Sequence, residues 1–533
     1  MVKRIVGAVV TLWCAGASVS CQSRDLEVVE IPVDLSPGPA IEDRADWEPV
    51  PLAACKLKPG MEQLPACGTL ESFDLSGCDT ESLRGLDRSG GYNLRFHGAD
   101  IATDDTAQYI GVDHFAPLAL GRRGALPLTR GADDHLLYSV YRETRPNRPA
   151  LVMATVGCSA QAQDHVKGCA VTCLEGQAPV VDTWEGRRVQ WLPGEAESSG
   201  GLKLLGEAGG HSGRAVDVFV AKEHAYVVSI DDFFLGSGAL QVYDVKDRRA
   251  PRLVRTVQFP DDSYWNGVWA KGDALYVASA ARGVLVFDIT DPANPLFLRD
   301  LSAGVHTNVH TLFVDGDRLY SMAVGPNQEV HIHDVKNPRE PVRLGHYRDS
   351  TVGVVRGSYP HDATSLNHRL FVSHWRGGLV ILDAKDPENV KRLGAYVYPR
   401  ATSHASRAGY FNDNLIAFEG GEDWGAHLRV LNLNDPASPT LIGEYQLPGW
   451  ASIHNMELKG SRLYLAHYQH GLRVLDVSRP REPRQLGHFH TVRESDPNRG
   501  LDFWDGAIGI RLPGDGYVYV VDTTRGLLIF PEI

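Results

Sequence analysis

The sequence predicts an all-β chain built mainly from repeated four-stranded sheets, and three observations carry that expectation. One segment, an apolar run ending in Asp or Asn and followed by a Pro-containing insert, recurs six times at spacings of 44, 46, 49, 49 and 44 residues. Each copy follows two strand-like runs joined by tight-turn chemistry such as Asp315-Gly316. Gly (54) and Pro (31) punctuate the chain, and no heptad run or long amphipathic periodicity interrupts it, which is the pattern of many short strands.

Bulk properties narrow the classes of function. The chain has 533 residues, 22% charged and 43% hydrophobic, ordinary values for a globular protein large enough for more than one unit. A net charge of −13 argues against a nucleic-acid surface, which needs a basic stripe. No Gly-rich phosphate loop, HExxH, GxSxG or EF-hand loop is present.

The first elements are read as targeting and display. Residues 1–20 contain Lys3 and Arg4, an apolar stretch from Ile5 to Ala15, and then small residues, the layout of an export signal. Cys21 follows Ser18-Val19-Ser20, which resembles a bacterial lipoprotein cleavage box and implies lipid attachment at Cys21. Cleavage after Ala15-Gly16-Ala17, giving a secreted protein, is the rival. Residues 21–50 carry eight acidic and two basic residues with several prolines and read as a solvated tether.

Residues 51–200 read as a small β-rich unit holding Cys55, Cys67, Cys78, Cys158, Cys169 and Cys173. An even number of cysteines behind an export signal suggests three disulfides, with fifteen pairings open. The C-x3-C spacing of Cys169 and Cys173 offers a zinc site as a rival, without a matching second pair.

Residues 201–533 hold the repeats, aligned on Asp244, Asp288, Asp334, Asp383, Asn432 and Asp476. In each, two hairpin strands lead to the run ending in Asp. The Pro-containing insert then makes a turn, and a Pro-led, basic final strand suits a sheet edge. A seventh set from Asp505 supplies three strands, and residues 202–208 (LKLLGEA) supply a fourth. Pairing that strand with the GLLIF run fastens a ring: a seven-bladed β-propeller closed by an amino-terminal strand and preceded by a disulfide-containing β-rich domain. An open solenoid and an eight-bladed ring are the alternatives.

GLVILD at residues 378–383 and its five counterparts resemble the LVIVD repeat. The resemblance covers roughly residues 202–533 and implies a propeller of bacterial envelope or secreted proteins, with no particular chemistry.

Candidate site residues come from the expected mouth of the propeller channel. His310, His361 and His454 share one position at the start of the first strand, with His404 displaced by two residues and Asn266 and Asp505 standing in other repeats. Loops after the second strand add His374, Glu419, His467, His470, Arg282 and Arg525. These are the candidate ligand-binding residues. His310, His361, His404 and His454 are also candidate ligands for a transition metal, because neutral imidazoles suit iron, copper and zinc. The PHD and HNM phrases around His361 and His454 are loosely similar to selenium-binding proteins, which implies an oxidoreductase as the alternative function. Against this, a repeated imidazole also satisfies backbone groups at a repeated turn, and the bland reading is preferred. Trp265, Trp375, Trp424, Trp450 and Trp504 lie in or beside the same loops, and the acidic pairs Glu422-Asp423 and Asp231-Asp232 read as solvated. The expected function is an exported binding or protein-interaction module anchored to the membrane by lipid, with an envelope or extracellular protein or a glycan as partner.

Overall fold

The computed structural model describes residues 39–47, 53–87, 92–97, 110–113, 116–119, 136–143, 149–232, 236–302, 304–352, 355, 357–493 and 503–533. The expected signal and Cys21 lie outside the described residues. No helix among the described residues is long and apolar enough to cross a membrane.

Six cysteines form three bridges: Cys55–Cys169, Cys67–Cys173 and Cys78–Cys158. The expected three disulfides are formed, and the rival zinc reading of Cys169 and Cys173 falls away. Side chains alternate faces along a strand, so residues four apart share one; Cys169 and Cys173 both point from the strand His165–Leu174 into a core with Phe73, Val152, Val156 and Val171. That strand sits in the middle of a five-stranded sheet ordered Tyr92–His97, Val180–Arg188, His165–Leu174, Leu151–Ala162, Tyr138–Glu143. The bridges close spans of 80 to 114 residues, for which loss of chain entropy in the unfolded state stabilises by about 2–4 kcal/mol each. Reduction is therefore expected to abolish the calorimetric transition of this sheet and leave that of the cysteine-free repeats in place.

The repeats fold as four-stranded antiparallel sheets. Sheet 1 comprises Arg214–Ala221, His224–Ile230, Leu240–Asp244 and Arg252–Val257. Sheets 2 to 6 follow in the same order, beginning with Trp265–Lys271, Asn308–Asp315, Asp362–Leu366, Ser403–Phe411 and Met456–Lys459. Sheet 7 joins Ala507–Arg511, Tyr517–Asp522 and Gly526–Pro531 to a strand from far upstream, Gly206–Ala208. The upstream strand pairs Gly206 with Ile529, Glu207 with Leu528 and Ala208 with Leu527. First strands of successive sheets pack against one another, and that of sheet 7 packs against that of sheet 1. The fold is a β-propeller.

Local chemistry explains the repeated segment. A strand buried on both faces needs an unbroken apolar run, and Leu379, Val380, Ile381 and Leu382 in the third strand of sheet 4 are all fully buried. The Asp or Asn that ends the run accepts a bond from the backbone N–H two residues on, closing an Asx turn. This recurs at Asp244, Asp288, Asp334, Asp383, Asn432 and Asp476, at 2.7 to 3.0 Å. Fourth strands carry exposed Leu253, Val254, Leu296 and Val342, interleaved with Arg252, Arg255, Arg299 and Arg343 that discourage edge pairing.

Gly378 opens the third strand of sheet 4 at φ 72°, and a Cβ there would sit 2.1 Å from the Tyr396 carbonyl oxygen. Gly378→Ala is expected to lower the urea midpoint through strain and steric clash, by more than the ~1 kcal/mol of an ordinary glycine substitution.

The expected tether is corrected over residues 39–47. Ile41 N–H donates to the Leu441 carbonyl, Asp43 and Asp46 pair with the buried Arg429, and Trp47 is buried. Acidic composition alone suggested solvation; the buried cation that receives those carboxylates lies nearly four hundred residues away in sequence.

Candidate functional site

Strands alternate direction within each sheet, so the link into a first strand and the turn between second and third strands lie at the same end. At that end a register irregularity displaces one residue of the first strand: position 216 in sheet 1, 266 in sheet 2, 310 in sheet 3, 404 in sheet 5 and 508 in sheet 7. In sheets 4 and 6 the equivalent residues are His361 and His454, whose N–H groups bond Ser373 O and Ala466 O. The resulting course of seven is Val216, Asn266, His310, His361, His404, His454 and Ile508. His404 is thus in register with the other histidines, which corrects the expected two-residue displacement. Ile508, rather than Asp505, holds the position in sheet 7. Bulges re-aim side chains without ending the strand, and here they bring His310 and His404 beside His361 and His454.

Neighbouring ring centroids are 4.1 Å apart for His310–His361, 4.2 Å for His361–His404 and 4.2 Å for His404–His454. Asn266 Nδ2 donates to His310 Nε2 at 3.0 Å. His404 Nδ1 is 2.9 Å from the His454 carbonyl oxygen, and His454 Nδ1 is 2.7 Å from that of Ile508. A carbonyl only accepts, so Nδ1 carries the proton in both rings and each neutral ring turns an Nε2 lone pair to the site. Burial pushes His310 down to about 4 and His454 to about 3. Burial and then neighbouring imidazoles hold His361 and His404 well below the usual value.

Glu422 completes the group from the turn between second and third strands of sheet 5. Its Oε2 lies 3.5 Å from His404 Nε2 and its Oε1 3.6 Å from His454 Nε2; the Tyr468 hydroxyl donates to it. Burial pushes its carboxyl up to about 8, and Asp423 likewise to about 6, so the reading of this pair as solvated is corrected. Trp375 stacks on His361 at 4.9 Å and 22°, and Tyr359 stacks on Trp375 at 5.7 Å. Tyr468 lies 5.0 Å from His454 on the other side.

A second course of side chains lies further along the first strands: Phe219, Trp269, Phe313, Arg407, Glu457 and Arg511. Phe219 and Trp269 are 5.0 Å apart, and Trp269 and Phe313 6.3 Å. Arg511 lies over Trp269 at 4.4 Å and bonds Glu457 at 2.9 Å, while Arg407 reaches Glu457 at 3.3 Å. These groups floor the histidine row. Sequence reading missed them because their types differ from sheet to sheet; the signal was their common offset from the histidine position.

The other expected site residues are placed in local networks. His374 is buried with Nδ1 2.8 Å from Ser358 Oγ; His467 and His470 are buried together at 5.2 Å. Glu419 accepts from the Tyr398 hydroxyl at 2.9 Å and is pushed up to about 7 by burial. Arg525 pairs with Glu207 at 2.8 Å and bonds the Thr491 carbonyl. Arg282 pairs with Asp261 at 2.7 Å, and Asp505 is buried beside sheet 7. Only Asn266 among them joins the histidine row. Of the tryptophans, Trp265 and Trp424 are buried.

The amino-terminal sheet covers one side of this end. Asn93 donates to Gln469 at 2.7 Å, Arg95 lies over Trp450 at 4.9 Å, and Trp191 stacks on His490 at 4.8 Å and 8°. Those contacts fall on sheets 5 and 6. Over sheets 2 to 5, successive links present exposed Tyr264, Val305, Val355 and Val397.

Comparison with known proteins adds the following. Residues 264–300 match the LVIVD repeat, and they span one whole sheet, from Trp265–Lys271 to Leu296–Asp300. Comparison with curated proteins finds no match. Among solved structures, the computationally designed Ika8 protein is similar at 12% identity and TM-score 0.42, over 62% of this chain and 100% of its own. The WD40 β-propeller domain of Doa1 is similar at 11% identity and TM-score 0.45, over 62% and 97%. One sheet of this β-propeller, residues 264–300, thus carries an LVIVD repeat.

Proposed function

We propose that this protein is an exported, lipid-anchored, seven-bladed propeller that binds an envelope or extracellular protein through the open side of its channel face. Residues 1–20 would direct export and Cys21 would carry the lipid. The cyclic packing of first strands and the seam between Gly206–Ala208 and Gly526–Pro531 support seven blades. Three disulfides using all six cysteines of residues 51–200 favour an oxidising compartment.

The observation that carries the binding reading is the asymmetry of the face. Its own amino-terminal sheet occupies sheets 5 and 6, whereas Tyr264, Val305, Val355 and Val397 stand 40% to 60% exposed on four consecutive links. One exposed apolar group on each of four consecutive links along one rim supports a contact surface there, and an aromatic among aliphatics suits a protein partner. A photocrosslinking residue at Val305 is expected to give one discrete protein adduct in cells, and the same residue at Val342 on an outer strand none. Equal labelling at both positions, or adducts to glycan alone, would contradict a protein partner. Cys21→Ser is expected to move the protein from the detergent phase to the aqueous phase; continued partitioning into detergent would exclude lipid at Cys21.

A further inference from the structure

We propose that His361, His404, His454 and Glu422 form a binding site for one divalent first-row transition-metal ion at the channel mouth, a role independent of the partner-binding reading.

Two observations carry it. The first is the direction of the lone pairs. Nδ1 protons of His404 and His454 are committed to carbonyl oxygens at 2.9 and 2.7 Å, so both Nε2 atoms face Glu422 as acceptors. The carboxyl proton of Glu422 can satisfy one of these acceptors at a time, whereas a cation between them satisfies all of them together. Backbone carbonyls holding the far nitrogen of each ring also fix tautomer and orientation, as second-layer partners of metal-bound histidines do.

The second is spacing. The Nε2-to-carboxylate distances of 3.5 and 3.6 Å are long for direct hydrogen bonds. They are close to the edge of about 3.3 Å that separates ligands in a tetrahedron with bonds of about 2.0–2.1 Å. Ligand atoms of His361, His404 and Glu422 all lie within 4.8 Å of one another. Tyr468 orients Glu422 through its hydroxyl, and Trp375 packs flat on His361.

His310 is outside the set, because its Nε2 already accepts from Asn266 at 3.0 Å. The cluster of Glu195, His488 and His490 is a poorer candidate, since the Arg473 guanidinium lies 2.7 Å from Glu195 and neutralises it. A set of imidazoles with one carboxylate selects zinc, iron, copper or cobalt over calcium or magnesium, which prefer oxygen ligands.

The test equilibrates the full chain with Zn2+, removes excess ion by dialysis, and measures metal content and affinity; Co2+ provides a visible ligand-field spectrum. About one ion per chain is expected, with affinity reduced at least about 100-fold in His404→Ala and at least about 10-fold in Glu422→Gln. His346→Ala, at an exposed surface histidine, is expected to bind as the unsubstituted protein does. No retained Zn2+, or undiminished affinity in folded His404→Ala, would overturn the site. If His404→Ala does not fold, the Co2+ spectrum decides: altered bands in Glu422→Gln support the site, and identical bands overturn it.

Discussion

Replacing Arg429 by Leu is expected to lower the free energy of unfolding by about 3–5 kcal/mol and to release residues 39–47 from the propeller. Arg429 is wholly buried, with Nε 3.0 Å from Asp43, one amino group 3.2 Å from Asp46 and 3.1 Å from the Arg44 carbonyl, and its plane 3.7 Å from the Tyr398 ring. Tyr398 in turn bonds Glu419. Removing one partner from a buried ionic group leaves charges without compensation, and such losses fall in that range. Asp43 would keep the bond from the Tyr396 hydroxyl, and Asp46 would act on Glu419 without the guanidinium, with His427 2.6 Å away. Urea unfolding measures the first effect, and limited proteolysis between residues 39 and 47 the second. Unchanged urea midpoint and protease resistance would show that the segment is held by other contacts.

The second large effect is acid unfolding. Among the described residues burial holds eleven imidazoles below their ordinary value: His211, His310, His331, His333, His361, His374, His404, His454, His467, His470 and His490. Each stays neutral in the fold while the unfolded chain takes up a proton below about pH 6.5. Their stabilisation is therefore complete above that pH and lost as pH falls toward about 4, the value reached by His333, His374 and His490.

Among the same residues six carboxyls act oppositely: Asp217, Asp262, Asp362, Glu419, Glu422 and Asp423 are all raised by burial. The fold keeps their protons longer, so their contribution falls as pH rises from the ordinary carboxyl range through about 6 for Asp217 and about 7 for Glu419. Eleven against six leaves an excess of imidazoles, and each uncompensated proton steepens stability by about 1.4 kcal/mol per pH unit. In EDTA, urea midpoints are expected to peak near pH 6.5–7 and drop steeply below about pH 6. A flat profile from pH 7 to 5 would contradict this. Below the ordinary glutamate range the loss deepens. Glu195, where burial is overruled by Arg473, and Glu185, where it is overruled by His165 and Arg95, are held down at about 2.

The repeat and its closure were legible because they rest on local chemistry that each copy repeats. An apolar run wrapped on both sides, an Asp or Asn bonding the backbone two places on, and a Pro-led edge strand can each be read without knowing neighbours. The closing strand was legible from its likeness to other fourth strands, although its pairing starts at Gly206 rather than Leu202.

The site was legible only in part. Counting back from the hairpin turn misplaced His404, because the first hairpin of sheet 5 is longer: seven residues separate His404 from its last paired residue, Phe411, against five between His310 and Asp315. Glu422 was read as surface since its fragment, GGEDWG, is written like a loop; only the packing of sheet 5 beside sheet 6 turns it inward. Cysteine pairing, and the attachment of residues 39–47 to Arg429, depend on contacts between distant segments that no local pattern encodes.

The seam in sheet 7 bears on how a nascent chain matures. Gly206–Ala208 emerges from the ribosome roughly three hundred residues ahead of Gly526–Pro531, so the early strand waits without its mate while six sheets assemble. A late-forming, long-range junction is slow to close, and until it does the apolar edges of Leu527, Leu528 and Ile529 stay open to proteases.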